Sequence, residues 1–380
     1  MQGADRRRGA GERGARELCC DRAGRERRGR RRADGGGRAP GAFGVRRHPR
    51  ARGGHLAIGE RVVSEFSGLR VLVLGGGPDA EREVSLRSAA GVASALREAG
   101  CGVVEATIGR VTADELRALE GDVVFPVLHG SFGEGGGLQD LLEADGRAYV
   151  GCGARAARLA MDKLATKAAA WRAGVPTADA ALVNPHDEVC ALDLPVVVKP
   201  VHEGSSVGLR IVRTAAAYAA AVEAVREHGR PNMVEAFVRG RELTVGVVDL
   251  EGHGLAALPI VEIAPASGVY DYQAKYERND TRYTANPDLP SGARETVQAR
   301  ALTVARAIGV RHLARVDFLL DEHGEAWLLE LNTMPGFTAT SLLPMAGRAA
   351  GIEMPTLCAR LAARAMVDGG VAPEAIGGGV

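Results

Sequence analysis

Short apolar runs recur along the chain, and most are closed by glycine or by charge. Arg70–Leu74, Asp122–Leu128, Leu194–Lys199, Met233–Val238, Leu243–Val248, Arg315–Leu320 and Ala326–Leu331 each read as strands. Helical spacing of apolar residues runs from Ser85 through Ala99, over Leu138–Ala144, from Met161 to Gly174, and over Gly292–Gly309. Gly174 followed by Pro176 is an ordinary helix stop. A further helix is expected to start at Thr338-Ala339-Thr340-Ser341. The first strand leads into Gly75-Gly76-Gly77-Pro78 and then a helix, the opening of a nucleotide-binding α/β unit. It carries no GxGxxG, which argues against a dinucleotide.

The stretch from Arg315 to Gly336 carries the most chemistry. Its two strand runs flank Asp321-Glu322-His323-Gly324, so it reads as a hairpin. The hairpin brings Asp317 near Glu330 and Asn332. Glu330 and Asn332 alternate along one strand and share a face, as do Arg315 and Asp317. Two carboxylates and an amide oxygen suit a hard cation such as Mg²⁺, which takes few protein ligands and shares the rest with phosphate. Charges inside apolar strands are costly as decoration. A cationic fork beside such an ion serves a reaction that builds negative charge.

Other candidates lie at strand ends and in loops. His129 follows the second strand run, where open parallel sheets keep their ligands. Lys199 ends an apolar strand, and a buried lysine needs an anion. The following loop, Pro200 to Gly208, is rich in small donors that can fold over phosphates. Glu235 and Glu242 stand between apolar neighbours and can accept from a nucleoside's amino and hydroxyl groups. Glu81 sits where a loop meets a helix, placed for a substrate ammonium or simply for the helix N-terminus. The helix start at Ser341 can receive a carboxylate. Residues 264–290 read as a long loop without secondary structure; Tyr270, Tyr272, Tyr276 and Tyr283 cluster there, which favours a lid.

Composition narrows the class. The chain has 380 residues, 46% hydrophobic and 25% charged, ordinary globular material with room for two or three domains. The net charge of +1 hides an arginine- and glycine-rich start through about residue 66, which lacks apolar periodicity and reads as a disordered extension without function. The six cysteines show no CxxC spacing, which suits a reducing cytoplasm. No run of eighteen apolar residues and no secretory signal pattern is present. Walker A, protein-kinase and nucleophile-elbow motifs are also missing.

Taken in order, GGGPDAEREVSL, LHGSFGEGGGLQ, MDK, VVKPVHEGSSVG, YDYQAKY, ARVDFLL and LELNTMPGFTATSLLPM resemble the ATP-grasp ligases, specifically the D-alanine–D-alanine ligases of peptidoglycan synthesis. The resemblance spans about residues 70–365. It implies an α/β chain, an ATP-grasp fold preceded by a Rossmann-like parallel-sheet N-terminal domain. The implied divisions are an extension over 1–68, an N-terminal domain over 69–152, a small lid subdomain over 153–242, and a large subdomain over 243–372 holding the mobile loop 264–290 and the metal site.

The same resemblance implies roles. Lys163 and Lys199 contact ATP phosphates beneath the Gly204–Gly208 loop with its Ser206. Glu235 and Glu242 bind adenine and ribose, and Val238 lines the base pocket. Ala236 stands where family members often have lysine. Asp317, Glu330 and Asn332 hold two Mg²⁺, for which Mn²⁺ can substitute. Glu81 binds the first D-alanine's ammonium near His129. Arg315 and the Gly336 N–H stabilise the oxyanion. Ser341 and Lys275 hold the second D-alanine's carboxylate. Glu81, Ser205 and Tyr276 form a hydrogen-bonded link. A cytoplasmic homodimer is implied, with no nucleic-acid or membrane partner.

The chemistry these residues suit is phosphoryl transfer from ATP to a carboxylate, followed by attack of an amine on the acyl phosphate. D-alanine–D-lactate and D-alanine–D-serine ligases share most of the constellation. Tyr276 within YDYQAKY resembles the dipeptide-forming type. A non-catalytic nucleotide sensor would be expected to lack metal ligands or Arg315.

Overall fold

The computed structural model describes residues 66–186, 189–266 and 280–369. The chain divides into two units, Met1–Gly54 and His55–Val380, and only the second is described below. The expectations for residues 1–65, for Tyr270 and Tyr272, and for the roles of Lys275 and Tyr276 lie outside the described residues.

In chain order the elements are β1 (Arg70–Gly76), α1 (Arg82–Glu98), β2 (Gly102–Ile108), α2 (Ala113–Arg117), β3 (Val123–Pro126), α3 (Gly130–Glu134), α4 (Gly137–Asp145), β4 (Ala148–Tyr149), α5 (Ala154–Met161) and α6 (Lys163–Arg172). There follow β5 (Ala180–Leu182), β6 (Val196–Pro200), β7 (Arg210–Val212), α7 (Ala215–His228), β8 (Asn232–Ala236), β9 (Arg241–Val248), β10 (Ala256–Ala257), β11 (Val261–Pro265) and β12 (Thr281–Ala285). The last are α8 (Ala293–Ile308), β13 (Leu313–Leu320), β14 (Ala326–Asn332), α9 (Leu342–Ala349) and α10 (Met354–Asp368).

The first sheet is parallel, with strand order β2-β1-β3-β4. Its continuous apolar runs follow from burial on both faces. Val71 and Val73 pack with Val92 and Leu96 of α1 and with Leu357 and Leu361 of α10. Leu72 and Leu74 point the other way, against Leu116, Leu138 and Leu142. Phe66 is already buried in the first of these cores.

The second sheet is antiparallel, with order β5-β8-β6-β7. Val196, Val198 and Val234 cover α7 through Tyr218, Val222 and Val225. The opposite face carries Val197, Lys199 and Glu235. The third sheet, order β12-β11-β9-β13-β14 with β10 on β9, is also antiparallel. Ala314, Val316, Phe318 and Leu320 of β13 pack with Val297, Ala301 and Val304 of α8. Strand alternation then turns Arg315, Asp317 and Leu319 to the other face.

Four expectations are corrected. Residues 264–290 are not structureless throughout: β11 and β12 pair antiparallel, Ile263 opposite Tyr283, and the alternating Thr281-Arg282-Tyr283-Thr284-Ala285 packs on the first core. The helix expected over Met161–Gly174 breaks at Asp162, which is extended and caps α6 by accepting from the Ala165 N–H at 2.9 Å. The helix expected from Thr338 starts at Leu342, with Ser341 at its N-cap. The strand expected over Leu194–Lys199 starts at Val196.

Candidate active site

The third sheet supplies the floor. Register sets Arg315 against Gly246 and Asn332, and Asp317 against Thr244 and Glu330. A bulge after Asp317 makes Phe318 pair with Leu328, so Leu329 is the extra residue. The bulge changes the parity of β14. Trp327 and Glu330 thereby line the same cavity, although an unbulged strand would send them to opposite faces.

Asp317 is buried and engaged. Arg315 donates to it through Nη2 at 2.8 Å and Nε at 3.0 Å, and Thr244 Oγ1 donates at 2.5 Å. Asp317, Glu330 and Asn332 form an all-oxygen set of hard donors. Among the described residues no group of three or more His, Cys, Asp and Glu is arranged to hold a metal ion, so a cation here would depend on oxygens from elsewhere, such as phosphate.

One cavity, of about 410 Å³, opens between the second and third sheets. Lys163, Lys199, Ser206, Glu235, Ala236, Val238 and Glu242 all line it, together with Asp317 and Glu330. Phe237, Leu319, Trp327 and Leu328 add apolar walls. The buried Lys199 ammonium has its anion, Glu235, at 2.6 Å. Glu235 also pairs with Lys167. Burial by itself raises the Glu235 carboxyl, but Lys199 and Lys167 outweigh it and hold it below the usual carboxylate range. Burial pushes the Lys167 ammonium down against the pull of Glu235.

A second cavity, of about 380 Å³, holds Glu81, His129, Ser205, Arg315, Asn332, Gly336 and Ser341. Glu81 precedes α1 and accepts from Ser205 Oγ at 2.5 Å. Burial, and then the Glu134 carboxylate, raise the Glu81 pKa above its ordinary value. His129 ends the segment after β3, with Nδ1 at 3.1 Å from the Met334 carbonyl. Ser205 and Ser206 both have positive φ, 54° and 56°, a strained backbone that sends one serine to each cavity. A Cβ on Gly204 would lie 2.9 Å from Glu81 Oε1, so a side chain there would displace the Glu81 carboxylate.

A neck of about 30 Å³ lies between them, lined by residues of both cavities. Lys163, Glu203 and Glu330 belong to the first cavity, and Glu134, Gly204 and Asn332 to the second. Lys163 Nζ stands 3.9 Å from Glu330 Oε2 and donates to the Glu203 carbonyl at 2.5 Å.

Residues 173–363 match the family model described as "D-ala D-ala ligase C-terminus". The chain is 43% identical over 303 residues to the D-alanine–D-alanine ligase of Bordetella avium, covering 78% of this chain and 94% of that protein. The chain belongs to the D-alanine–D-alanine ligase family. Against D-alanine–D-alanine ligase B of Chromobacterium violaceum the identity is 45%, covering 77% of this chain and 96% of that one. The solved D-alanine–D-alanine ligase from Coxiella burnetii superposes with TM-score 0.68 at 26% identity, covering 80% of this chain and 95% of that one. The VanG D-Ala:D-Ser ligase from Enterococcus faecalis gives TM-score 0.69 at 26% identity, covering 78% and 99%. Membership makes this an ATP-using ligase with the expected ATP-grasp architecture.

Three polar residues in or against this ligase's candidate site were not found from sequence. Lys167 lies one helical turn after Lys163, an i, i+4 spacing that could have drawn notice. Glu134 is a single carboxylate within a glycine-rich stretch. Thr244 carries no signal, because a threonine in a strand is ordinary.

Proposed function

We propose that the enzyme joins two D-alanine molecules into D-alanyl-D-alanine, with ATP cleaved to ADP, as a step in peptidoglycan precursor synthesis. The observation that carries this reading is the pair of cavities meeting at a neck lined by Lys163, Glu330 and Asn332. Such a layout lets a phosphoryl donor and a carboxylate acceptor approach from opposite sides.

Phe237, Val238, Trp327 and Leu328 sandwich the base, while Glu235 and Glu242 accept from adenine and ribose. Lys163 and Lys199 neutralise phosphate charge, with the Ser205-Ser206 loop above them. Asp317, Glu330 and Asn332 would hold two Mg²⁺, which would supply positive charge beside the transferred phosphoryl group. Glu81 receives the ammonium of the first D-alanine. Arg315 and the Gly336 N–H face the oxygen that gains charge when the second amine attacks. Ser341, with Lys275, holds the second carboxylate, and Tyr276 completes the link through Ser205 to Glu81. Closure of the site around its substrates would keep water from the acyl phosphate. A homodimer working in the cytoplasm is part of the same reading; no helix among the described residues is long and apolar enough to cross a membrane.

Relatives of 38–45% identity are named D-alanine–D-alanine ligases, which favours D-alanine over D-lactate or D-serine as the second substrate. The test is mass spectrometry of products from purified protein with ATP, Mg²⁺ and D-alanine, with and without D-lactate or D-serine. Dipeptide of two D-alanines in every tube is the expected result. A predominant ester or mixed dipeptide would reassign the second substrate, and ATP consumption without any ligated product would overturn the reading.

A further inference from the structure

Glu134 is 7% exposed and lines the neck, yet none of the roles above uses it. Its Oε1 accepts from the Gly130 N–H at 3.3 Å and lies 3.8 Å from His129 Nδ1. Its Oε2 lies 2.5 Å from the Asn332 side-chain amide. That amide has two possible orientations. In one, its oxygen would face the Glu134 carboxylate and its nitrogen the Arg315 guanidinium, acceptor against acceptor and donor against donor. In the other, the nitrogen donates to Glu134 Oε2 and the oxygen accepts from Arg315 Nη2 at 3.0 Å. Only the second satisfies both ends.

We propose that Glu134 is a positioning residue, whose buried carboxylate locks the Asn332 amide with its nitrogen toward Glu134 and its oxygen toward Arg315. An amide oxygen has two lone pairs. One takes the Arg315 N–H, and the other is left for a cation shared with phosphate. A residue that orients a ligand in this way tunes metal affinity without touching the metal. This inference rests on the reading of Asp317, Glu330 and Asn332 as cation ligands.

The test measures Mn²⁺ held by the full-length enzyme with ADP, from the electron paramagnetic resonance signal of free Mn²⁺. Glu134→Gln removes the acceptor-only partner, lets the amide turn, and should weaken Mn²⁺ binding by about 10- to 100-fold. Asn332→Asp sets a carboxylate against Glu134 and should also weaken it. The combined Glu134→Gln/Asn332→Asp enzyme places a Gln donor opposite an Asp acceptor, and should recover binding to within a few-fold of wild type. A residue needed only for folding would not show that reciprocal rescue. Wild-type binding by Glu134→Gln, or combined losses that simply multiply, would overturn the proposal while leaving the cation site standing. Failure of the wild-type enzyme to hold Mn²⁺ with ADP would overturn the cation reading, and this inference with it.

Discussion

The Lys199 ammonium donates to the Glu235 carboxylate at 2.6 Å, across the diagonal between β6 and β8. Both groups line the proposed nucleotide cavity, and Lys167 closes on the same carboxylate. Glu235 is therefore a structural counter-ion for two buried lysines as well as a candidate base contact.

Glu235→Ala is expected to lower stability by about 3–5 kcal/mol, because it leaves buried ammonium groups unpaired. Denaturant unfolding of the apo enzyme measures this. Glu242→Ala removes the proposed ribose contact and should weaken nucleotide binding with less loss of stability than Glu235→Ala.

Glu81 must be ionised to receive an ammonium. Because burial and Glu134 raise its pKa, D-alanine binding should weaken on acidification at a higher pH than an ordinary carboxylate would give. The KM for D-alanine measured from neutral to acidic pH should show this rise. Glu81→Gln should raise the KM at all pH values and flatten the dependence.

Gly91 lies in α1 with the Phe337 carbonyl against it; a Cβ there would stand 2.6 Å from that oxygen. Phe337 is buried and meets Phe125 edge-on at 5.4 Å, so its backbone has little room to yield. Gly91→Ala should push the Gly336–Phe337 segment toward the substrate cavity, costing about 1–3 kcal/mol. Steady-state kinetics should show kcat falling while the KM for ATP holds.

His312 has positive φ, 63°, accepts from the Gly151 N–H at 3.0 Å, and has Nε2 at 2.9 Å from Asp368. Burial, and then Arg311, press its pKa down to about 4 from an ordinary 6.5, against the pull of Asp368. Between those values the unfolded chain binds the proton and the folded chain does not. Stability therefore falls as pH drops through that window, by about 3 kcal/mol in all. Thermal melts of His312→Asn, which suits the same backbone, should show a shallower slope over that range.

The sequence carried the third sheet's floor plainly, because strand alternation alone puts Arg315 with Asp317 and Glu330 with Asn332. It did not carry the bulge after Asp317, which depends on how β14 settles against its neighbour. Lys199 could be read as needing an anion, but naming Glu235 required the register of strands far apart in sequence. The ends of loop 264–290 were missed because their polar composition masked a period of two. Glu134 was missed because its partner, Asn332, comes from the other end of the chain.

The adjoining serines of the loop after β6 send one hydroxyl to each cavity, and both sit in a backbone conformation that must be held in place. A ligand that steadies this loop from one side leaves less ordering for a ligand on the other. Thermodynamic linkage then requires symmetry: whatever factor the nucleotide adds to amino-acid affinity, the amino acid returns to the nucleotide.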